Sequence, residues 1–526
     1  MKKPKISIFI FIFLIISVFY PLFVMLKNVQ WNTFHDLISS VTFKSSLINS
    51  LCVTSISTVL SIIIAYLLAY TINRTNIKHR AVLKVIITLP MLIPSISHGL
   101  GLINLFGANG IISSHFNFNI VGPVGIVVGS IIYSFPVAFL MLDDGFNYID
   151  NTMYDVAKVL GLNKWKTFKK VTMCYMKKPL LSSIFAVFTL IFTDYGVPLA
   201  VGGKFTTLPV FLYKQVIGLL DFSRGTMIGL FLLVPAFISF IVDNVYKDYS
   251  SGEFNKKLEI NNNKIRDILL KVFLYFIVLF VTIIIGSFVY YAFVDNPALN
   301  KVFSFKHFEY VLQDKLWSCL FNSLTVAVSV AVLGTFIAYF VAYYTARIKG
   351  KVSKVAHILT ILSLTIPGIV LGLSYTICFR NTPIYNTIFI LILVNIVHFI
   401  ATPYLMAYNA LQKINPNYEV VAKTCNIPTY KIIFDVIVPC TKMTIREMFS
   451  YFFVNSMMTI SAVAFLFSTK TMPLSLLINN YEGDFLLGEA AIISLVILFF
   501  NVIVKLVVYF LNRRDYGRRK LHEINI

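Results

Sequence analysis

Charge is scarce in this chain: Asp, Glu, Lys and Arg make up 13% of its 526 residues, about half of the roughly 25% typical of soluble domains. That shortage excludes a water-soluble globular protein. Acidic residues are scarcer still, 23 against 45 Lys and Arg, for a net charge of +22. Such an excess in a soluble chain would raise nucleic-acid binding. Here the basic residues fall in short loops beside apolar runs, where they orient a membrane protein instead. Cysteine is rare and scattered: Cys52, Cys174, Cys319, Cys378, Cys425 and Cys440 stand singly, without the spacing of a metal or redox site. No Gly-x-x-x-x-Gly-Lys-Ser/Thr phosphate loop occurs, and no polar stretch is long enough to be a nucleotide-binding domain. Convergent His, Glu and Asp clusters are also lacking. The chain therefore offers no catalytic residue and no metal site, and any ATP it depends on is handled by another polypeptide.

What it has is hydrocarbon, 58% hydrophobic residues and 15% aromatic. A helix needs about 20 apolar residues to cross a bilayer. Candidate spans are 6–26, 47–72, 81–106, 120–142, 180–201 and 226–246, then 267–292, 317–346, 355–379, 384–410, 445–468 and 485–511. Lipid tolerates no unpaired backbone polar groups, so each must be helical. This predicts an all-α membrane protein of twelve spans, with Met1-Lys2-Lys3-Pro4-Lys5 leading into an uncleaved first span. Basic loops alternate with loops of few or balanced charges, which places the basic ones, and both termini, in the cytoplasm.

The two halves are related. Asn49-Ser50-Leu51 returns as Asn322-Ser323-Leu324, and at the same offset Ala69-Tyr70 returns as Ala342-Tyr343, Arg74 as Arg347, Pro94 as Pro367 and Gly99-Leu100 as Gly372-Leu373. An even number of spans per copy gives a parallel repeat with a pseudo-two-fold axis. The units are expected at 1–246 and 267–526, joined by a polar linker at 247–266.

One polar stretch interrupts the hydrocarbon twice, Tyr154-Asp155-Val-Ala157-Lys-Val-Leu-Gly161 in a loop at about 150–178, and Glu419-Val-Val-Ala422-Lys-Thr-Cys-Asn426 in a loop at about 414–443. Phe168 and Ile433 follow at matching positions. The acidic residue suits a helix first turn. Gly161 can end that helix with a positive φ, and Asn426 is the next most tolerant residue there. A duplicated loop of this kind reads as a docking surface for something in the cytoplasm.

The stretch resembles the "EAA" loop of importer-type ABC transporter permeases, with Asp155 for Glu, Val156 for Ala, Cys174 for Pro and Asn426 for Gly, and with Glu419 displaced by one place. The resemblance covers nearly the whole chain as two fused permease units. It implies that Asp155, Ala157, Gly161 and Phe168, and Glu419, Ala422, Asn426 and Ile433, couple to two copies of a cytoplasmic ATPase. It also implies ATP and Mg bound by that partner, no cofactor on this chain, an extracellular solute-binding protein and a bacterial plasma membrane location. A narrower resemblance lies in Thr193-Asp194-Tyr-Gly196-Val-Pro198 and Tyr213-Lys-Gln-Val. These segments are similar to fused permeases for 2-aminoethylphosphonate, and more loosely to ferric-iron permeases.

Asp194 stands out without any resemblance. A carboxylate inside a span costs about 2.5–3.5 kcal/mol on insertion scales. A watery pathway, a basic neighbour or freed N–H groups near Gly196 and Pro198 must compensate it. A role in the pathway and a purely structural hydrogen bond both fit, and its repeat mate is the uncharged Thr459. Pro94 and Pro367, followed by Gly99 and Gly372, read as paired bends, either in gate-forming helices or as static packing kinks. His98 and His398 read as packing residues, and Glu447 and Glu489 as reaching the interface. A twelve-span secondary transporter driven by an ion gradient would also be built of parallel repeats, but does not account for the duplicated loop.

Overall fold

The computed structural model describes residues 12–108, 110–113, 119–147, 149–245, 263–296, 300–348 and 350–524. The start of the first expected span and residues 247–262 of the linker lie outside them. Seven helices are long and apolar enough to cross a bilayer: Val41–Arg74, Pro123–Asn147, Lys164–Phe192, Phe222–Ser239, Lys264–Phe293, Leu316–Arg347 and Leu487–Asp515. Among the described residues, four bent helix pairs are together long and apolar enough for a span: Ile12–Lys27 with Asn32–Ser39 (82°), Arg80–Leu92 with Ser95–Phe106 (101°), Lys351–Thr365 with Gly368–Phe379 (108°) and Ile388–Phe399 with Ala401–Gln412 (52°). The remaining expected span is the helix Val438–Met458. Its first turns hold Lys442 and Arg446, which pair with Asp515, and Glu447, which accepts from Asn512. Contacts with the last span pair these charges.

Three expectations change here. The bends at Pro94 and Pro367 are complete breaks. Leu89–Leu92 and Ser363–Thr365 tighten into 3₁₀ turns, and each proline becomes the extended N-cap of a separate helix. The residue before each proline is forced out of the helical region, Ile93 to ψ 150 and Ile366 to ψ 113. Second, the helix expected over 180–201 runs from 164 to 192 and stops, and its mate stops at Met458. Both are followed by short re-entrant pieces, Gly196–Val201 and Leu208–Tyr213 in the first unit and Leu474–Gly483 in the second. Third, Glu489 does not extend into solvent. It is buried and takes a 2.9 Å bond from His307, on the helix Lys306–Gln313 that follows a hairpin of Val294–Asn296 with Asn300–Phe303.

The units interlock. Tyr375 in the second unit donates to the Ser17 carbonyl in the first span (2.6 Å). Reciprocally, Ile284 and Phe288 of the seventh span lie against Gly101. Ser97 meets Ser494 at 2.9 Å, and the Asn501 amide donates to the Leu92 carbonyl at 2.9 Å. Each unit's first span thus seats on the other unit's broken third span, as a pseudo-two-fold axis requires.

The Glu489 carboxylate holds His307 above its ordinary pKa. A raised histidine contributes stability in full below its unfolded value, about 6.5, and loses it as pH rises through the folded value. We expect amide protection over 306–313, corrected for intrinsic rate, to fall between pH 6 and 9. A His307→Gln variant should show a flat profile. Wild-type protection unchanged across that range would refute the clasp.

Candidate functional site

Two repeated constructions hold the singled-out residues: the polar loops at one end of the bundle, and the crossings between broken helices in its interior. The loops are helices Thr152–Val159 and Asn417–Thr424. Both close the same way. Leu162 N–H donates to the Ala157 carbonyl (3.0 Å) and Gly161 N–H to that of Lys158; Ile427 N–H donates to the Ala422 carbonyl (2.8 Å) and Asn426 N–H to that of Lys423. Gly161 has φ 66° and Asn426 φ 56°, so asparagine reproduces the glycine geometry in full. Ala157 and Ala422 are the buried residues of their helices. Phe168 and Ile433 each open a π-helical turn, Phe168–Thr172 and Ile433–Ile437, a shared irregularity with no signature in the residue types. Apolar side chains stay outside: Val156, Val159, Leu160 and Trp165 on the first loop, Val420, Val421, Tyr430 and Phe434 on the second. An exposed cluster of this kind marks an interaction surface.

The displaced acid has an explanation. Position 419 is the mate of Tyr154, not of Asp155, and both sit under the arginine that ends the second span of their unit. The Arg74 guanidinium lies 4.3 Å from the centre of the Tyr154 ring. The Arg347 Nε lies 3.4 Å from the Glu419 carboxylate, which also accepts from Tyr343. A cation–π contact in one unit and an ion pair in the other serve one purpose. The repeat had made both arginines visible; their partners needed the fold.

Replacing Asn426 with glycine removes the residual cost of a side chain at positive φ. It should raise protection across 417–427 by up to about 1 kcal/mol, while Gly161→Val lowers it across 152–162 by about 1–2 kcal/mol. Hydrogen exchange reads both, and equal protection in the parent and Asn426→Gly proteins would refute the relaxed cap.

In the interior, Asp194 sits in the break after the fifth span. Its carboxylate accepts from the backbone N–H of Gly196 (3.3 Å) and Val197 (3.0 Å). These freed N–H groups compensate the charge as a helix cap does, together with the Ser95 side chain, which also hydrogen-bonds it. A small cavity lies beside it, lined by Ser50, Thr54, Ser130, Pro198 and Thr207 among others. In the second unit Thr459 donates to the Asn455 carbonyl (2.6 Å), and its own carbonyl accepts from Ser475. Ala327 and Pro473 stand where the first unit has Thr54 and Thr207. The two interiors thus differ in polarity at the same place.

Gly99 and Gly372 are points of close approach. A Cβ would lie 2.6 Å from Ala200 Cβ at Gly99, and 2.7 Å from the Ala462 carbonyl oxygen at Gly372. Helices 95–106 and 368–379 therefore cross the segments after the fifth and eleventh spans backbone to backbone. Sequence reasoning left out the aromatic contacts where the units meet. Tyr213 stacks on Tyr195 (5.3 Å) and on Phe465 of the other unit (6.0 Å), with Asn479 against its hydroxyl. His98 packs on Tyr133 (5.5 Å) and His398 lies against the neighbouring Phe399 (4.5 Å).

The chain matches the family model described as "Binding-protein-dependent transport system inner membrane component" twice, over residues 57–247 and 334–514. Among curated proteins it is 24% identical to the ferric transport system permease protein FbpB of Actinobacillus pleuropneumoniae, over 83% of this chain and 68% of that protein. It is 21% identical to the thiamine transport system permease protein ThiP of Escherichia coli, over 62% of each. The molybdate/tungstate transport system permease protein WtpB of Methanocaldococcus jannaschii aligns over 96% of its own length but only 46% of this chain, at 25% identity. A single-unit relative therefore fits one half. Two matches to one model, covering well over half of the residues, settle the family: this chain belongs to the inner membrane components of binding-protein-dependent transport systems, as a fused pair of permease units.

Proposed function

We propose that the chain is the complete translocation pathway of an ATP-driven importer, and that its cargo is ferric iron handed over by an external binding protein. The duplicated loop carries the mechanism. Two short helices with the same cap, the same buried alanine and exposed apolar side chains are offered on one end of the bundle, as docking to two copies of one ATPase requires. That end is rich in Lys and Arg, so it faces the cytoplasm, with both termini. ATP and Mg belong to the ATPase, and this chain binds no cofactor and no nucleic acid. ATP binding draws the two loops together, and the crossings at Asp194 and Thr459, under the breaks at Pro94 and Pro367, reopen to the other side.

The cargo reading rests on the ferric permease relative, which matches across both units. A second reading, 2-aminoethylphosphonate, is favoured by the Thr193–Pro198 and Tyr213-Lys-Gln-Val segments. The test is uptake of radiolabelled ferric iron and, separately, of 2-aminoethylphosphonate by cells expressing the chain with its neighbouring ATPase and binding protein. Uptake that requires ATP and survives an ionophore supports the importer. Uptake that collapses with the ion gradient makes it a secondary transporter, and the accepted compound decides between the two cargoes.

A further inference from the structure

The second span of each unit is clamped at both ends, by the same residues in both units. Val41–Arg74 and Leu316–Arg347 are single helices of 34 and 32 residues, with no proline in either and no glycine in the first. At the loop end, Arg74 and Arg347 grip residues 154 and 419 of the loop helices, as described above. Arg347 also donates to the Ile414 carbonyl (3.1 Å), and Tyr154 bonds Thr172 (2.7 Å) at the root of the fifth span.

At the opposite end, the repeated Asn-Ser pair grips the re-entrant segment. Asn49 donates to the Thr206 carbonyl (3.1 Å) and Ser50 accepts from Leu208 N–H (2.7 Å). In the second unit Asn322 donates to the carbonyls of Lys470 (2.8 Å) and Met472 (3.2 Å), and Ser323 accepts from Leu474 N–H (2.7 Å). Leu208 and Leu474 begin the helices that carry Tyr213 and Asn479 to the contact between the units. About 36 Å of helix separates the two grips at 1.5 Å per residue. The third and ninth spans, by contrast, are broken through more than a right angle and cannot transmit a push along their length.

We propose that the second and eighth spans are connecting rods, carrying displacement of the loop helices to the re-entrant helices that close the contact between the units. Asn49, Ser50, Asn322 and Ser323 are then positioning residues at the driven end, and Arg74 and Arg347 at the driving end. The proposal rests on the importer reading. The arginine grip differs in chemistry between the units, while the Asn-Ser grip uses the same two residues in both, with one further carbonyl for Asn322. What is kept is therefore the linkage, not a particular ion pair.

The test is hydrogen exchange on the full chain in nanodiscs with its ATPase, with and without ATP and vanadate. In the parent, exchange should change both at 152–162 and 417–427 and at 204–213 and 470–478. In the variant Asn49→Ala/Ser50→Ala/Asn322→Ala/Ser323→Ala, the loop-end response and ATP hydrolysis should persist within about twofold. The far-end response and cargo uptake should fall at least tenfold. Ser50→Thr/Ser323→Thr, which keeps the hydroxyl acceptors, should restore the far-end response when the asparagines are intact. A parent-like far-end response in the quadruple variant overturns the connecting rod alone. A parent complex whose loop ends ignore ATP overturns the importer reading together with it.

Discussion

Uptake falls about tenfold when Asp194 is replaced by alanine, and stays within about threefold of the parent when it is replaced by asparagine. The carboxylate caps the short helix after the fifth span through the N–H groups of Gly196 and Val197. Loss of such a cap costs about 0.5–2 kcal/mol, and asparagine caps as well as aspartate does. If the uncapped break is inactive, that range corresponds to a loss between about twofold and thirtyfold. Initial uptake rates at equal membrane abundance are the measurement. An asparagine variant as poor as the alanine one would show that the negative charge itself, facing the cavity with Ser50 and Thr207, acts on the cargo.

The second large effect is a rescue. Gly196 lies so close to Ser95 that an added Cβ would fall well inside contact distance of the serine hydroxyl, and 2.8 Å from Ile96 N. At the same place in the second unit the small and larger residues are exchanged: Gly368 stands for Ser95 and Ser461 for Gly196, and a Cβ on Gly368 would collide with the Ser461 hydroxyl. One glycine per crossing is therefore required, on either side of it. Gly196→Ser should overpack the crossing, at a cost of about 1–3 kcal/mol, lowering the melting temperature in detergent and abolishing uptake. Ser95→Gly/Gly196→Ser, which copies the second unit's arrangement, relieves the hydroxyl clash but not the approach to Ile96 N, and it gives up the Ser95 bond to Asp194. It should therefore recover part of the melting temperature and part of uptake. A double variant no better than Gly196→Ser would mean that the exchange between the units is coincidental.

The same complementarity runs through other repeat-related pairs, and it shows why part of the site was hidden. Lys84 pairs with Asp143, whereas the positions that match them hold His357 and Tyr408, whose rings lie 4.7 Å apart. A residue-by-residue comparison of the halves scores such sites as mismatches. In space each is one contact solved twice, because a paired charge and a stacked ring can both fill a contact between adjacent helices. Glu419 belongs to this class: it departs from the loop pattern because it answers Arg347 where Tyr154 answers Arg74.

Hydrophobic run length and loop charge determined the all-helical membrane fold, because lipid leaves the backbone no alternative to helices. Identical residues at fixed offsets determined the two-unit plan, and the cap chemistry of Gly161 and Asn426 was readable because positive φ narrows the choice of residue. Only the tertiary structure decided that Pro94 and Pro367 break their helices rather than bend them. It alone decided that Asp194 spends its charge on the backbone that follows it and on Ser95, and that Asn49-Ser50 and Asn322-Ser323 hold segments about 150 residues downstream. Such features depend on which backbone groups are left unpaired and what stands opposite them. Hydropathy and local spacing record how much of a segment is apolar, not what it faces.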